Sequence, residues 1–310
     1  MNGTPRRLWL LIGFLAAGPA RAAGPNPGFN FGFKEDTSAV IWRGTATLGI
    51  NINSGNSNAI SFAGSGTIMR NDGSNKVQVD VVGAYARSTS LVGNDANMDG
   101  ILQRAEITQV TQTTVNNWNL KARYDRFIKL TNSFYLTGFV GADPIAGKQL
   151  LGGGQAGFAR QVYANDQHQL VAELGYDFTY EQYDQPKMAP GTMAEISSLA
   201  IHSARVFVGY KLKLSDEILM ASSAEVLSNV NTLLTPTGNA APFEDTRVIW
   251  KASLDARVYK NISARFAFTA KFDNVPAPRQ AFNLPLEDGL TVSANKLDTI
   301  TEVQVIVNFL

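Results

Sequence analysis

The chain has 310 residues, 27 basic and 26 acidic side chains, two histidines (His168 and His202) and no cysteine. The missing cysteines exclude a disulfide scaffold, a zinc–thiolate site and a cysteine nucleophile, and the pair of histidines excludes a histidine-rich metal site. A formal charge of +1 gives no basic surface for nucleic acid, and beyond the N-terminus no apolar run reaches the ~18 residues that a spanning helix needs.

The N-terminus is the first predicted element. Arg6 and Arg7 precede an apolar stretch over residues 8–17, and Ala20-Arg21-Ala22 forms an A-x-A cleavage pattern. This order predicts a secretory signal peptide over residues 1–22 and an exported mature chain. Residues 23–39, rich in Gly, Pro and Asn, read as a flexible periplasmic lead-in. Losing Arg6, Arg7 and Arg21 moves the formal charge from +1 to −2.

From residue 40 onward, apolar and polar side chains alternate in about twelve runs. The first, over 41–53, sets Trp42, Ala46, Leu48 and Ile50 against Arg43, Thr45, Thr47 and Asn51. A strand sends successive side chains to opposite faces, so each run has one greasy and one polar face. The second carries Ile60, Phe62 and Ile68, and the third sets Val77, Val79, Val81 and Tyr85 against Lys76, Gln78 and Asp80. The fourth puts Trp118, Leu120 and Tyr124 opposite Lys121, Arg123 and Asp125. The sixth contains Gly152-Gly153-Gly154, a run that weakens a strand and predicts a sharp bend. The seventh sets Leu170, Leu174, Tyr176, Phe178 and Tyr180 against Glu173, Asp177 and Glu181. Later runs repeat the pattern through Trp250 against Lys251, Phe266 against Arg265, and the closing stretch 296–310.

Connections alternate as well: short around 71–75, 129–132, 164–167, 215–216 and 260–261, mostly long elsewhere, as in 182–198, 229–243 and 275–295. Short turns on one rim and long loops on the other, with an even strand count, predict an all-β fold. It is a transmembrane antiparallel up-and-down β-barrel of outer-membrane type over residues 40–310, embedded in a lipid bilayer of the bacterial outer membrane. A soluble β-sandwich or periplasmic carbohydrate-binding domain is the alternative; its loops need not alternate in length. Trp42, Tyr85, Trp118, Tyr180, Trp250 and Tyr259 are candidates for the interfacial aromatic girdles.

The polar faces then line a lumen. Its candidate residues are Arg43, Lys121, Arg123, Asp125, Glu173, Asp177, Arg205, Lys251, Asp255, Arg257, Arg265, Lys271 and Glu302. A lining of both signs fits either a hydrated, weakly selective pore or a closed mesh of ion pairs. Asp95-Ala96-Asn97-Met98-Asp99-Gly100 followed by Glu106 matches the D-x-[DN]-x-[DN]-G-x5-E pattern. Oxygen ligands at Asp95, Asn97, Asp99 and Glu106 would suit Ca²⁺ in an external loop over 95–106, although no flanking helices complete an EF-hand. No other cofactor is expected. His202 and Ser203 are neighbours and point to opposite faces, which gives no catalytic constellation for a rim hydrolase.

The segment Trp42-Arg43-Gly44 through Leu48-Gly49 to Ser54-Gly55-Asn56-Ser57 resembles the salt-induced outer-membrane protein family of Gram-negative bacteria. Arg123-Tyr124-Asp125, the glycine-rich run 152–157 and Leu174-Gly175-Tyr176 are similar too. The resemblance covers most of the mature chain and implies an outer-membrane barrel without an assigned activity. It also implies that the terminal strand is read by the insertion machinery. Here Phe309 is followed by Leu310, whereas such barrels commonly end on Phe. Three functional readings follow: a small-solute pore or stress-related envelope protein, a non-conducting binding barrel with a calcium-binding loop, and a rim-located hydrolase.

Overall fold

Strict alternation of side chains leaves a chain one way to hide its backbone in lipid, which is to pair every strand and close the sheet. The computed structural model describes residues 39–53, 58–93, 107–146, 148–188, 195–235, 238–275 and 296–309. The expected signal peptide over 1–22 and the expected Ca²⁺ ligands Asp95, Asn97, Asp99 and Glu106 lie outside these residues. The strands are β1 (Ile41–Asn53), β2 (Asn58–Asn71), β3 (Asn75–Gly93), β4 (Ile107–Lys129), β5 (Asn132–Asp143), β6 (Lys148–Ala164), β7 (His168–Met188), β8 (Glu195–Lys213) and β9 (Ile218–Asn229). They continue as β10 (Leu233–Thr235), β11 (Gly238–Ala240), β12 (Thr246–Tyr259), β13 (Ile262–Asp273) and β14 (Leu297–Asn308).

All except β10 and β11 form one closed antiparallel barrel of twelve strands, in which β9 pairs directly with β12. Each remaining strand pairs with its sequence neighbour. The seam is closed by β1 against β14, from Thr45 opposite Asn308 to Leu48 opposite Val305. The short connections at 72–74, 130–131, 165–167, 214–217 and 260–261 share one rim. In the first of them Gly73 has φ 80°, a left-handed conformation that a side chain would strain. Asp72 accepts the Ser74 and Asn75 backbone N–H groups. The Asn75 bond in particular holds its carboxyl below the usual range.

The outer surface is apolar. Leu48, Phe62, Leu136, Leu174, Phe266 and Val303 are all exposed there, Leu174 at 62% and Val303 at 74%. In water such a surface would aggregate; facing acyl chains it is matched to its solvent. Trp42 and Tyr259 sit toward the short-turn rim, while Tyr85, Trp118, Tyr180 and Trp250 sit toward the loop rim, and all six are exposed.

The structure adds to two expectations. The Gly152–Gly154 run does not interrupt its strand: β6 pairs with β5 and β7 without a register shift through these residues. Its role is clearance. A Cβ on Gly153 would lie 2.8 Å from Phe139 Cζ and still closer to the Phe178 carbonyl, so the glycine makes room for an inward aromatic ring. The connection over 229–243 is not plain loop either. It contains the β10–β11 hairpin, whose Leu233 and Ala240 are buried against Ile201, an inward residue of β8. The hairpin therefore covers the mouth of the barrel on the β8 side.

Candidate functional site

Inward residues come from the polar half of each alternation, and the lumen is their meeting place. On β4, the outward positions of Leu120 and Tyr124 force Lys121, Arg123 and Asp125 inward. On β7, outward Leu174 and Tyr176 do the same for Glu173, Asp177 and Glu181.

One side of the lumen is filled. Glu173 is fully buried and receives Arg123 from β4, three strands away: Nη2 to Oε1 at 2.7 Å and Nη1 to Oε2 at 3.2 Å. It also accepts Arg205 Nη1 from β8 at 2.8 Å. Arg123 donates in addition to Asp125, with Nη2 to Oδ1 at 2.7 Å, and Arg205 Nε reaches Glu225 of β9. Tyr135 of β5 lies beneath the network: its hydroxyl accepts from Arg205 at 2.8 Å, and the Arg123 guanidinium stacks over its ring at 4.5 Å. Ion pairs out of water require full compensation, and this arrangement satisfies each charge with at least one opposite partner. The network runs as a chord from β4 to β9, five strands apart in the ring of twelve.

The chord depends on two glycines. A Cβ on Gly157 would stand 2.6 Å from Tyr135 Oη, and one on Gly175 closer still. Both glycines let Tyr135 lie flat across β6 and β7 so that its hydroxyl reaches Arg205.

The other side is hollow. Val82 of β3 points inward, in register with Ser65 and Asn119, yet is 48% exposed. Beside it is a cavity of about 270 Å³, lined by Thr45, Ser65, Asp80, Lys121, Ser223 and Lys251 among others and bounded by Arg123, Glu173 and Arg205. A second cavity, of about 200 Å³, shares Thr47, Ser65, Val82, Lys251 and Arg265 with it.

The remaining sequence-predicted residues fall into distinct places. Arg265 binds Asp255 in a two-point pair, Nε to Oδ1 at 2.5 Å and Nη2 to Oδ2 at 2.8 Å. Asp177 accepts Gln155 Nε2 and Thr179 Oγ1, both at 2.8 Å. Glu302 lines the second cavity, and Lys271 is exposed on the inward side of β13. Arg43 is half-buried on β1 opposite Met69. Arg257 donates to the Asp216 carbonyl at the short-turn rim, away from the central cavity. Glu225, Tyr135 and the two glycines complete the chord. Glu225 was legible from alternation, and Tyr135 could have been found from its place between outward Phe134 and Leu136.

At the loop rim, Asp245 is buried and its Oδ1 has no partner. Burial pushes its carboxyl up to about 6. Arg247 pulls against this from 3.9 Å, Asp273 and Glu181 add to it, and Lys148 opposes it. Among the described residues no group of three or more His, Asp and Glu is arranged to hold a metal ion.

Several solved structures are similar to this chain in part. The NanC porin is 6% identical with a TM-score of 0.44, covering 86% of this chain and 98% of that one. The translocator domain of the autotransporter NalP from Neisseria meningitidis is 13% identical at 0.39, covering 89% of each chain. The outer-membrane channel DcaP of Acinetobacter baumannii is 10% identical at 0.33, covering 90% and 99%. At these values the likeness is one of general form. No curated protein sequence matches the chain. The closed twelve-stranded sheet with its apolar exterior is that of an outer-membrane β-barrel. Residues 46–293 match the model of a family described as a protein of unknown function, DUF481, and the chain belongs to that family.

Proposed function

We propose that this barrel is a passive pore for small hydrophilic solutes in the outer membrane, with permeation confined to the hollow side of the lumen. The observation that carries the reading is Val82, an inward apolar side chain left 48% exposed next to a polar cavity of about 270 Å³. A lumen closed by its own side chains would bury that position, as it buries the inward Val171 of β7 to 0% exposure. The chord from Arg123 to Glu225 then serves as a fixed wall that sets the bore. The salt-induced, stress-related role implied by the family resemblance is part of this proposal, as is recognition of β14 by the insertion machinery. No catalytic residue is assigned.

A specific observation favours a second reading, a non-conducting binding barrel. Met69, Tyr135, Phe207 and Ile306 are all buried, and they come from β2, β5, β8 and β14, spaced around the ring. In that reading the cavity is a dead-end pocket, and the Asp95–Glu106 loop with Ca²⁺ is its external element. Planar-bilayer recording of the refolded protein separates the two. Discrete conductance steps support the pore; a folded, heat-modifiable but silent barrel sinks it in favour of the pocket.

A further inference from the structure

We propose that the hollow side of the lumen is a binding site for a small carboxylate anion, held between Lys121 and Lys251. The reading deepens the pore proposal, because it needs the cavity to be reached from water.

The two lysines stand on β4 and β12, six strands apart in a ring of twelve, so they project from opposite walls. Both line the same cavity. The three arginines around it are engaged: Arg123 with Asp125 and Glu173, Arg205 with Glu173 and Glu225, Arg265 with Asp255. Neither Lys121 nor Lys251 has an ion-pair partner within 4 Å among the described residues. The carboxylate that acts most strongly on both is Glu225, which Arg205 already holds. Asp80 and Glu302 act on Lys251 as well, from beyond ion-pair distance.

Asp125 and Asp255 are fully buried and do not line the cavity, so the negative ends of two pairs lie behind their guanidiniums. Counted with these two partners, the five basic groups (Lys121, Arg123, Arg205, Lys251 and Arg265) meet five acidic ones (Asp80, Asp125, Glu173, Glu225 and Asp255), so the site is marked by its two unpaired ammonium groups and not by net charge. One of the five acids, Asp80, accepts Thr67 Oγ1 at 2.7 Å and Gln78 Nε2 at 2.8 Å. In a cavity with low-dielectric walls, ammonium groups that no fixed carboxylate pairs attract a mobile anion. Two ammonium groups projecting into one polar cavity from opposite walls fit an anion with carboxylates at its ends, while Ser65 and Asn119 on the Lys121 side and Ser223 on the Lys251 side supply neutral hydrogen-bonding groups. A volume of about 270 Å³ limits the ligand to a small molecule.

The test uses the refolded barrel in planar bilayers under a KCl gradient, with citrate as the probe anion. Wild type is compared with Lys121→Gln/Lys251→Gln and, as a control, Lys213→Gln at the exposed short-turn rim. The expected result is preference for chloride over potassium and block by citrate, both lost in the double variant and kept in the control. Each lysine removed should lower the chloride-to-potassium permeability ratio roughly tenfold, from one charge acting over about 6 Å in water on the two ions in opposite senses. Lys251→Gln alone, at an exposed lumen position, gives the same readout if the double variant fails to fold. Discrete steps with cation preference, or a selectivity that the lysines do not change, overturn the anion site and leave the pore standing. If the barrel is silent, its urea unfolding midpoint in citrate decides. A rise seen in wild type and absent from the double variant keeps the anion site and sinks the pore; no rise overturns both.

Discussion

Replacing Glu173 by Gln is the most incisive perturbation of the lumen chord. The carboxylate is fully buried and accepts from Arg123 at 2.7 and 3.2 Å and from Arg205 at 2.8 Å. The amide keeps the shape and removes the charge. Both guanidiniums retain one carboxylate, Asp125 and Glu225, so neither is orphaned. Breaking a buried pair by removing one partner costs about 3–5 kcal/mol when the remaining charge has no other support. With that support present, the expected loss is about 2–3 kcal/mol. Glu225→Gln is the internal comparison, because its side chain is 20% exposed in the lumen, and screening should hold the cost near 1 kcal/mol. The assay is urea unfolding in lipid vesicles followed by tryptophan emission, since Trp42, Trp118 and Trp250 all face outward and lose their lipid contact on unfolding. A loss below about 1 kcal/mol for Glu173→Gln, or an equal loss for Glu225→Gln, would refute the view that the chord is a desolvated structural element.

Further outcomes follow from the same geometry. Gly175→Ala places a methyl within bonding-contact range of Tyr135 Oη and 2.6 Å from the Ala156 carbonyl, and should cost about 1–3 kcal/mol of stability; Gly138→Ala, with nothing within 4 Å of the added carbon, should change stability by less than about 0.5 kcal/mol in the same assay. Asp245 binds a proton more tightly in the folded barrel than in the unfolded chain, so stability should rise by up to about 3 kcal/mol as pH falls from 7 through about 6 toward 4, and Asp245→Asn should abolish that rise in urea midpoints measured across the range. Leu174→Arg, on the lipid face, should destabilise the inserted barrel by about 2–4 kcal/mol, whereas Val82→Arg in the lumen should be tolerated and lower conductance instead.

The barrel was legible because alternation is a local signal. Leu174 and Tyr176 outward with Glu173 and Asp177 inward can be read from five consecutive residues, and the structure keeps that parity from residue 171 to residue 183 of β7. The chord was not legible, because its contacts are set by the curvature of the closed sheet. Arg123 meets Glu173 across β5 and β6, a pairing that depends on strand count and tilt rather than on any hairpin register. Composition marked the run Gly152–Gly154 as weak, but the reason for a glycine at 153 lies on the neighbouring strand, in the ring of Phe139. The β10–β11 hairpin escaped notice for a similar reason: three-residue strands are too short for alternation to show, and their stability comes from Leu233 packing on Ile201. Charge type along the lumen was visible in the sequence; which lysines stay outside the ion pairs was not, since that follows from distances across the bore.

The central claim is that a hydrated path runs along the Val82 side of the lumen. Because the chain contains no cysteine, Val82→Cys introduces a unique thiol at the half-exposed inward position. The decisive measurement is single-channel conductance of this variant before and after a bulky, water-soluble thiol reagent. Stepwise loss of conductance on modification, with no effect of the reagent on the cysteine-free barrel, is the predicted result. Open-channel current that persists after the thiol has fully reacted would place permeation elsewhere and contradict the account.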